Sequence, residues 1–400
     1  MPGLAFRADL ESSVIHTLLR LALHGVPPSA VRCNVSATPR PRKRAESCQA
    51  GRLPMRFGLA GFAGSGKTTL FNAMTGLDVP VGYGGEIRVG TVRVPDPRLD
   101  FLSGVISPKK TTYATINLRD VPGEHGAGAR YLSPNSLQEI RDREALCLVL
   151  RDFVNPALDT DPDPLGDLRA FHDECVLADL AVVERRLDRA RKERADIREI
   201  DAFETMTAAL EGGRALRLLS EAELHRGFLK GYGLLTDLPL LVAVNVEEER
   251  ADGALDPALD GEARGMGGAA MVLSAGVEAE IAALDAEDQG EFLEDMGLSE
   301  PALARFIRAA YGLMDLVSFF TIGKDEVRAW TIRRGTVARK AAGRVHSDME
   351  RGFIRAEVIP YDVFAHYGSE HAVKEAGLMR VEGRDYVVAD GDLLHVRFNV

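Results

Sequence analysis

Cysteine is scarce in this sequence, and long apolar runs are missing from it. Four cysteines in 400 residues (Cys33, Cys48, Cys147, Cys175) are too few and too scattered for a disulfide framework or a zinc site. Such sparse usage points to a reducing, cytoplasmic compartment. No window approaches the roughly 18 apolar residues of a membrane span, so no membrane partner is expected. Positive charge is also in deficit. A formal net charge of -11 argues against a wholesale polyanion-binding surface and leaves room only for local basic patches; no DNA partner is expected. Hydrophobic content of 46% with 27% charged residues is ordinary for a globular protein. The length suits two or three domains with ample core.

Residues 1–54 run against the average. Eight Lys/Arg against three acids give them about +5, and Pro39 to Arg44 is a Pro/Arg-rich stretch that cannot build a packed core. Three readings compete: a disordered extension, an Arg-rich targeting presequence, or translated sequence ahead of a start at Met55. The first and last are favoured, because Met55 opens directly into an apolar strand.

That strand leads into Gly61-Phe62-Ala63-Gly64-Ser65-Gly66-Lys67-Thr68, and a helix-like segment follows from Thr69. G-x-x-x-x-G-K-[ST] between strand and helix is the spacing of a phosphate-binding loop. Glycines let successive backbone N–H groups turn inward on phosphate oxygens, and the helix N-terminus adds its positive dipole end. Gly61, Ala63, Gly64, Ser65, Gly66, Lys67, Thr68 and Thr69 are the expected nucleotide contacts. Lys67 can reach the β- and γ-phosphates, and the Thr68 hydroxyl can ligate Mg²⁺. About 50 residues on, the strand Ala114 to Leu118 ends at Asp120-Val121-Pro122-Gly123. An Asp at such a strand end is suited to hold Mg²⁺ through water, and the Gly123 amide could sense the γ-phosphate.

Ala145 to Leu150 and Leu238 to Val244 read as buried parallel strands. Between them Leu177, Leu180, Val183, Leu187 and Ala190 fall at helical spacing, followed by helical runs from Phe203 and from Glu221. A two-helix antiparallel coiled coil is the simplest arrangement. Met271 to Ala275 is another strand end. After Leu313 the pattern changes: a hairpin (Val317 to Gly323, Glu326 to Arg333) and a helix (Thr336 to Gly352) come first. Ile354 to Val363 and Ala372 to Ala376 follow, then terminal strands Asp385 to Val388 and Leu393 to Phe398, suggesting a β-grasp module. Its helix places Lys340, Arg344 and Arg351 near one stripe, either a solvated face or a surface for phosphate backbones. The expected layout is a first G-domain segment over 55–165, a helical insertion over 166–235, a second G-domain segment over 236–315 and the β-grasp over 316–400.

From Met55 to Val400 the chain resembles the YchF subfamily of Obg-like ATPases, within the translation-factor class of P-loop NTPases. The resemblance is carried by Val94-Pro95-Asp96-Pro97-Arg98-Leu99, Glu326-Val327-Arg328-Ala329-Trp330-Thr331-Ile332, Gly352-Phe353-Ile354-Arg355-Ala356-Glu357-Val358-Ile359 and the terminal Arg397-Phe398-Asn399-Val400. It implies an α/β fold: a doubly wound P-loop NTPase G domain with a coiled-coil insertion and a C-terminal TGS domain of β-grasp type. It further implies ATP as substrate, Mg²⁺ as cofactor, and the ribosome or ribosomal RNA as partner. GTPases of this class read guanine with N-K-x-D; here Asn245-Val246-Glu247-Glu248 lacks the Lys and has Glu in place of Asp. Adenine is therefore the expected base, with Asn245, Val246 and Glu248 near it and Ser274 and Ala275 lining its other side.

The chain departs from that pattern near the γ-phosphate. Val81 to Glu86 offers no Thr for the metal. Glu124 and His125 follow Gly123 where an apolar residue is usual, and the loop after the Arg-x-Phe strand is reduced to Phe153-Val154-Asn155-Pro156. His125 or Glu124 could orient the attacking water, and Lys67, Gly123 and His125 form the expected catalytic set. No redox-sensing cysteine is evident beside the loop. A slow ATPase acting as a translation switch is the leading expectation; a non-hydrolysing nucleotide-bound adaptor and a GTPase of the same class are the alternatives.

Overall fold

A computed structural model describes residues 55–80, 87–121, 132–229 and 231–399. The readings made for residues 1–54, 81–86 and 122–131 lie outside them. In chain order the strands are β1 (Met55–Ala60), β2 (Arg88–Arg93), β3 (Lys110–Thr112), β4 (Thr115–Asp120), β5 (Ala145–Asp152), β6 (Leu240–Val246), β7 (Ala269–Leu273), β8 (Leu316–Thr321), β9 (Glu326–Arg333), β10 (Phe353–Pro360), β11 (Arg380–Glu382) and β12 (Asp392–Phe398). They make two six-stranded sheets.

The first sheet has the order β2-β4-β1-β5-β6-β7. Only β2 runs antiparallel, against β4; the other pairings are parallel. Strands covered on both faces must be apolar at nearly every position, and β6 is buried along its whole length. On one face, Leu70, Phe71 and Met74 of the helix Lys67–Thr75 are buried, and Phe57 meets Phe306 edge-on at 5.7 Å. On the other, Leu146, Leu148, Val242 and Val244 pack with Leu168 and Phe171 of the helix Pro164–Glu193. That makes the sheet doubly wound.

The helix Pro164–Glu193 continues beyond the sheet and turns back at Arg194 (φ 55°) into Ile197–Glu211. Val183, Leu187, Phe203, Met206 and Leu210 form the seam. Arg191 pairs with Glu204 at 2.8 Å and Arg186 with Glu199. Leu177 is an exception to the expected stripe: it is 62% exposed. The buried line passes through Cys175, Val176, Asp179 and Val183, and one further step of about 100° carries Leu177 off that face.

The second sheet has the order β11-β10-β12-β8-β9-β3. β8 and β9 form the expected antiparallel hairpin, β12 runs parallel beside β8, and β10 pairs antiparallel with β12. Ala338 and Ala341 of the helix Ala338–Val345 are buried in this sheet's core with Val317, Phe319, Val358 and Leu394. The hairpin, helix and returning central strand make a β-grasp layout. The β3 strand, from the half of the chain that carries the first sheet, adds itself in parallel to the β9 edge, where Thr112 donates to Glu326 Oε1 at 2.6 Å.

A second tie lies at Arg98. Its guanidinium donates to both oxygens of Asp96 at 3.0 and 2.8 Å and to Asp390 Oδ2 at 2.8 Å, and it lies 5.2 Å from the Phe320 ring centroid. Asp390 also accepts the Ser318 amide at 2.8 Å, and Asp96 caps the helix Pro97–Ile106. The hydrogen bonds Arg98 donates to Asp96, and secondarily to Asp390, hold its pKa above the usual value.

The C-terminal region departs from expectation at two places, and at a third it bears on an open alternative. The single helix over Thr336 to Gly352 is two, broken at His346, whose extended backbone and ring Nδ1 cap the second helix. Asp385 to Val388 is not a strand in the sheet. Its backbone bonds Ala338 and Thr336 at the start of the helix instead, and Arg380–Glu382 supplies the edge strand. The basic stripe is largely neutralised: Lys340 pairs with Glu350 at 2.5 Å and Arg351 with Asp348.

Candidate nucleotide-binding site

The loop between β1 and the helix Lys67–Thr75 is shaped by its glycines. At Gly61 (φ 145°) a Cβ would stand 2.4 Å from the Val149 carbonyl oxygen; at Gly66 (φ 85°) it would stand 2.1 Å from Asn245 Nδ2. Neither conformation suits an L side chain. Gly66 is the N-cap of the helix and no side chain caps it, so the first amides of the helix are left for a ligand. Ser65 Oγ is buried and has no hydrogen-bond partner.

Beneath the loop lies the expected metal corner. Asp120, at the carboxyl end of β4, is 3% exposed, and Lys67 is 6% exposed. Thr68 Oγ1 donates to Asp120 Oδ2 at 3.0 Å. Asp120 Oδ1 is buried without a partner, and Arg88 Nη1 lies 3.7 Å from Oδ2. Burial lowers the Lys67 pKa, and the charge of Asp120 opposes that shift. A hydroxyl and a carboxylate are hard oxygen donors of the kind Mg²⁺ takes beside a phosphate-binding loop. The orphaned Oδ1 leaves a lone-pair position for a metal-bound water. The residues present therefore fit the ion.

Asn245, at the end of β6, is buried. Its Nδ2 donates to the Ser65 carbonyl at 3.0 Å, and its Oδ1 accepts the Ala275 amide at 2.8 Å. Both ends of the amide thus join the phosphate loop to the start of the helix Ala275–Ala283, and Asn245 acts here as a brace. Val246 packs in the core on the opposite face of the sheet, so it offers a ligand only main-chain atoms. Glu248 opens a short 3₁₀ turn and is exposed. Ser274 is buried at the N-cap of the next helix with no capping bond from its side chain.

The family described as YchF-GTPase_C (protein of unknown function) matches residues 316–399. The ribosome-binding ATPase YchF of Haemophilus ducreyi is 39% identical over 368 residues, spanning 87% of this chain and all of the relative. The protein of the same name from Bacillus subtilis is 36% identical over 374 residues with the same coverage. Among solved structures, the YchF GTPase of Schizosaccharomyces pombe superposes with a TM-score of 0.76 at 27% identity. It covers 87% of this chain and 99% of its own. This chain belongs to the YchF family. The P-loop NTPase fold with a YchF C-terminal domain follows from that membership and from the topology above.

In this YchF chain the described structure brings Gly61, Ala63, Gly64, Ser65, Gly66, Lys67, Thr68, Asp120 and Asn245 around one loop. Gly123 and His125, expected to act near the γ-phosphate, lie outside the described residues. Two contacts escaped the sequence reading. Asn155 folds its loop over the phosphate loop, donating from Nδ2 to the Gly64 carbonyl at 3.2 Å while its Oδ1 accepts the Ala157 amide. Asn-Pro is a turn signal, but nothing in it says which surface the turn will cover. Arg88 was unreadable as a neighbour of Asp120, because only the β2–β4 register sets the two side by side.

Proposed function

We propose that this protein is a Mg²⁺-dependent P-loop ATPase with slow intrinsic turnover, acting as a nucleotide-dependent switch on the ribosome. The observation that carries the reading is the Thr68–Asp120 pair, with an unsatisfied carboxylate oxygen, set under a loop whose amides are free for phosphate. ATP would lie with its β- and γ-phosphates on those amides and Lys67, which neutralises charge growing on the transferring group. Mg²⁺ supplies further charge neutralisation at the phosphate oxygens when held by Thr68 and, through water, by Asp120. Water attacks in line; Gly123 and His125 are the assigned γ-phosphate sensor and water-orienting residue, and a partner surface completes the site. Ala63 and Thr69 line the phosphates, while Asn245, Val246, Glu248, Ser274 and Ala275 surround the base.

Adenine is preferred because Asn245-Val246-Glu247-Glu248 lacks the lysine of the guanine-reading motif. The ribosomal partner is supported by the names of the Haemophilus and Bacillus relatives, with the coiled coil and the TGS-like C-terminal domain as the contact surfaces. The cytoplasm is the compartment of such a partner; among the described residues no helix is long and apolar enough to cross a membrane. Single-turnover hydrolysis with purified protein tests the enzyme: bound ATP left intact for hours, with or without ribosomes, would instead make it a nucleotide-bound adaptor. Competition between ATP and GTP tests the base, and tighter GTP binding reverses the assignment. The ribosomal role falls if neither nucleotide state co-sediments with ribosomes.

A further inference from the structure

One charged side chain at the metal corner has no part in the mechanism above. Arg88 opens β2, and the antiparallel register places it directly across from Asp120. Its Nη1 stands 3.7 Å from Asp120 Oδ2, the same oxygen that accepts Thr68 Oγ1. Its Nη2 donates to the Pro80 carbonyl at 3.0 Å. The two side chains are 19% and 4% exposed, so solvent screens their attraction little. Among the described residues the corner thus sets two cations, Lys67 and Arg88, against the carboxylate of Asp120, and the balance of those groups is positive before any metal arrives. Meanwhile Oδ1 of Asp120 stays free, so the guanidinium and a hydrated metal can address different oxygens of one carboxylate.

We propose that Arg88 is a resident cation of the nucleotide site that shares Asp120 with Mg²⁺. When the metal is withdrawn, the guanidinium keeps Asp120 neutralised and presents the phosphates with a positive corner, so nucleotide is retained. When the metal enters, like charge opposes it, so more Mg²⁺ is needed than the Thr68–Asp120 pair alone would require. This inference rests on the nucleotide-site reading above.

Equilibrium binding of N-methylanthraniloyl-ADP to the full chain, in EDTA and across a Mg²⁺ titration, tests it without reference to turnover. Arg88→Ala is expected to weaken binding about tenfold in EDTA and to change it less than about threefold at saturating Mg²⁺. Its half-maximal Mg²⁺ concentration should fall severalfold. Arg88→Gln, which keeps a donor for Pro80 but no charge, should behave like the alanine variant, and Arg88→Lys like the unaltered chain. Equal losses with and without metal, or Gln restoring what Ala removes, would overturn the proposal in favour of a merely structural arginine. Unchanged binding in every variant would overturn it too. If the unaltered chain binds no nucleotide in either condition, the site assignment itself fails and this inference goes with it.

Discussion

The metal corner and the Arg98 junction both gather buried or half-buried charge, yet they are built on opposite terms. At Arg98 the charges close on one another: Asp96 and Asp390 accept from one guanidinium, and Asp390 also receives the Ser318 amide. At the corner they do not close. Ser65 Oγ and Asp120 Oδ1 have no partner, Lys67 is desolvated, and helix amides lie uncapped. Buried polar groups left unmade cost stability, and their gathering beside an uncapped helix start supports the proposed nucleotide site. The saturated cluster is read as part of the fold, and the unsaturated one as part of the proposed site.

That contrast can be broken by mutation. The largest effect is expected from Lys67→Ala, with nucleotide affinity down by about 2 to 5 kcal/mol in fluorescence titration. Its urea midpoint should be unchanged or raised, since a buried cation is removed; a large loss of stability would place Lys67 with the structural group. Arg98→Ala should do the reverse, costing about 2 to 3 kcal/mol of stability in urea unfolding after discounting for its partial exposure. Its nucleotide affinity should stay within about twofold; a larger drop would mean that the junction reports to the site. Asn245→Ala blurs the two classes. It leaves the Ser65 carbonyl and the Ala275 amide unpaired, so about 1 to 2 kcal/mol should be lost in both stability and binding. The smallest effect is assigned to Lys340→Ala, under about 0.5 kcal/mol in the same unfolding assay. Ribosome co-sedimentation should be unaltered, because Glu350 already neutralises this lysine. Reduced co-sedimentation would restore the helix as a binding face.

Local chemistry was legible in the sequence wherever one short stretch carries its own geometry. Gly61 to Thr68 announces backbone amides turned on phosphate, and Ala145 to Leu150 announces a doubly covered strand. The helical period from Val183 to Ala190 announces a seam. What pairing decides was not legible. Arg88 meets Asp120 through strand register, and Asn155 reaches Gly64 because a turn folds over the loop. Leu177 lies one residue off a face whose position is set by the partner helix. Asp385 to Val388 carries the strand-forming run Tyr386-Val387-Val388, but its hydrogen bonds go to the start of a helix, a choice made by neighbours far along the chain.

One consequence lies in time rather than space. The strand Lys110–Thr112 completes its ladder only against Glu326 to Arg328, and Thr112 and Glu326 stand 214 positions apart. At about 5 to 20 residues per second of synthesis, those three residues wait roughly ten to forty seconds for their partner to be made. Until then the nucleotide-binding half carries a bare edge. The join between the two halves is thus among the last parts of the molecule to be sealed, while the chain is still leaving the machine that makes it.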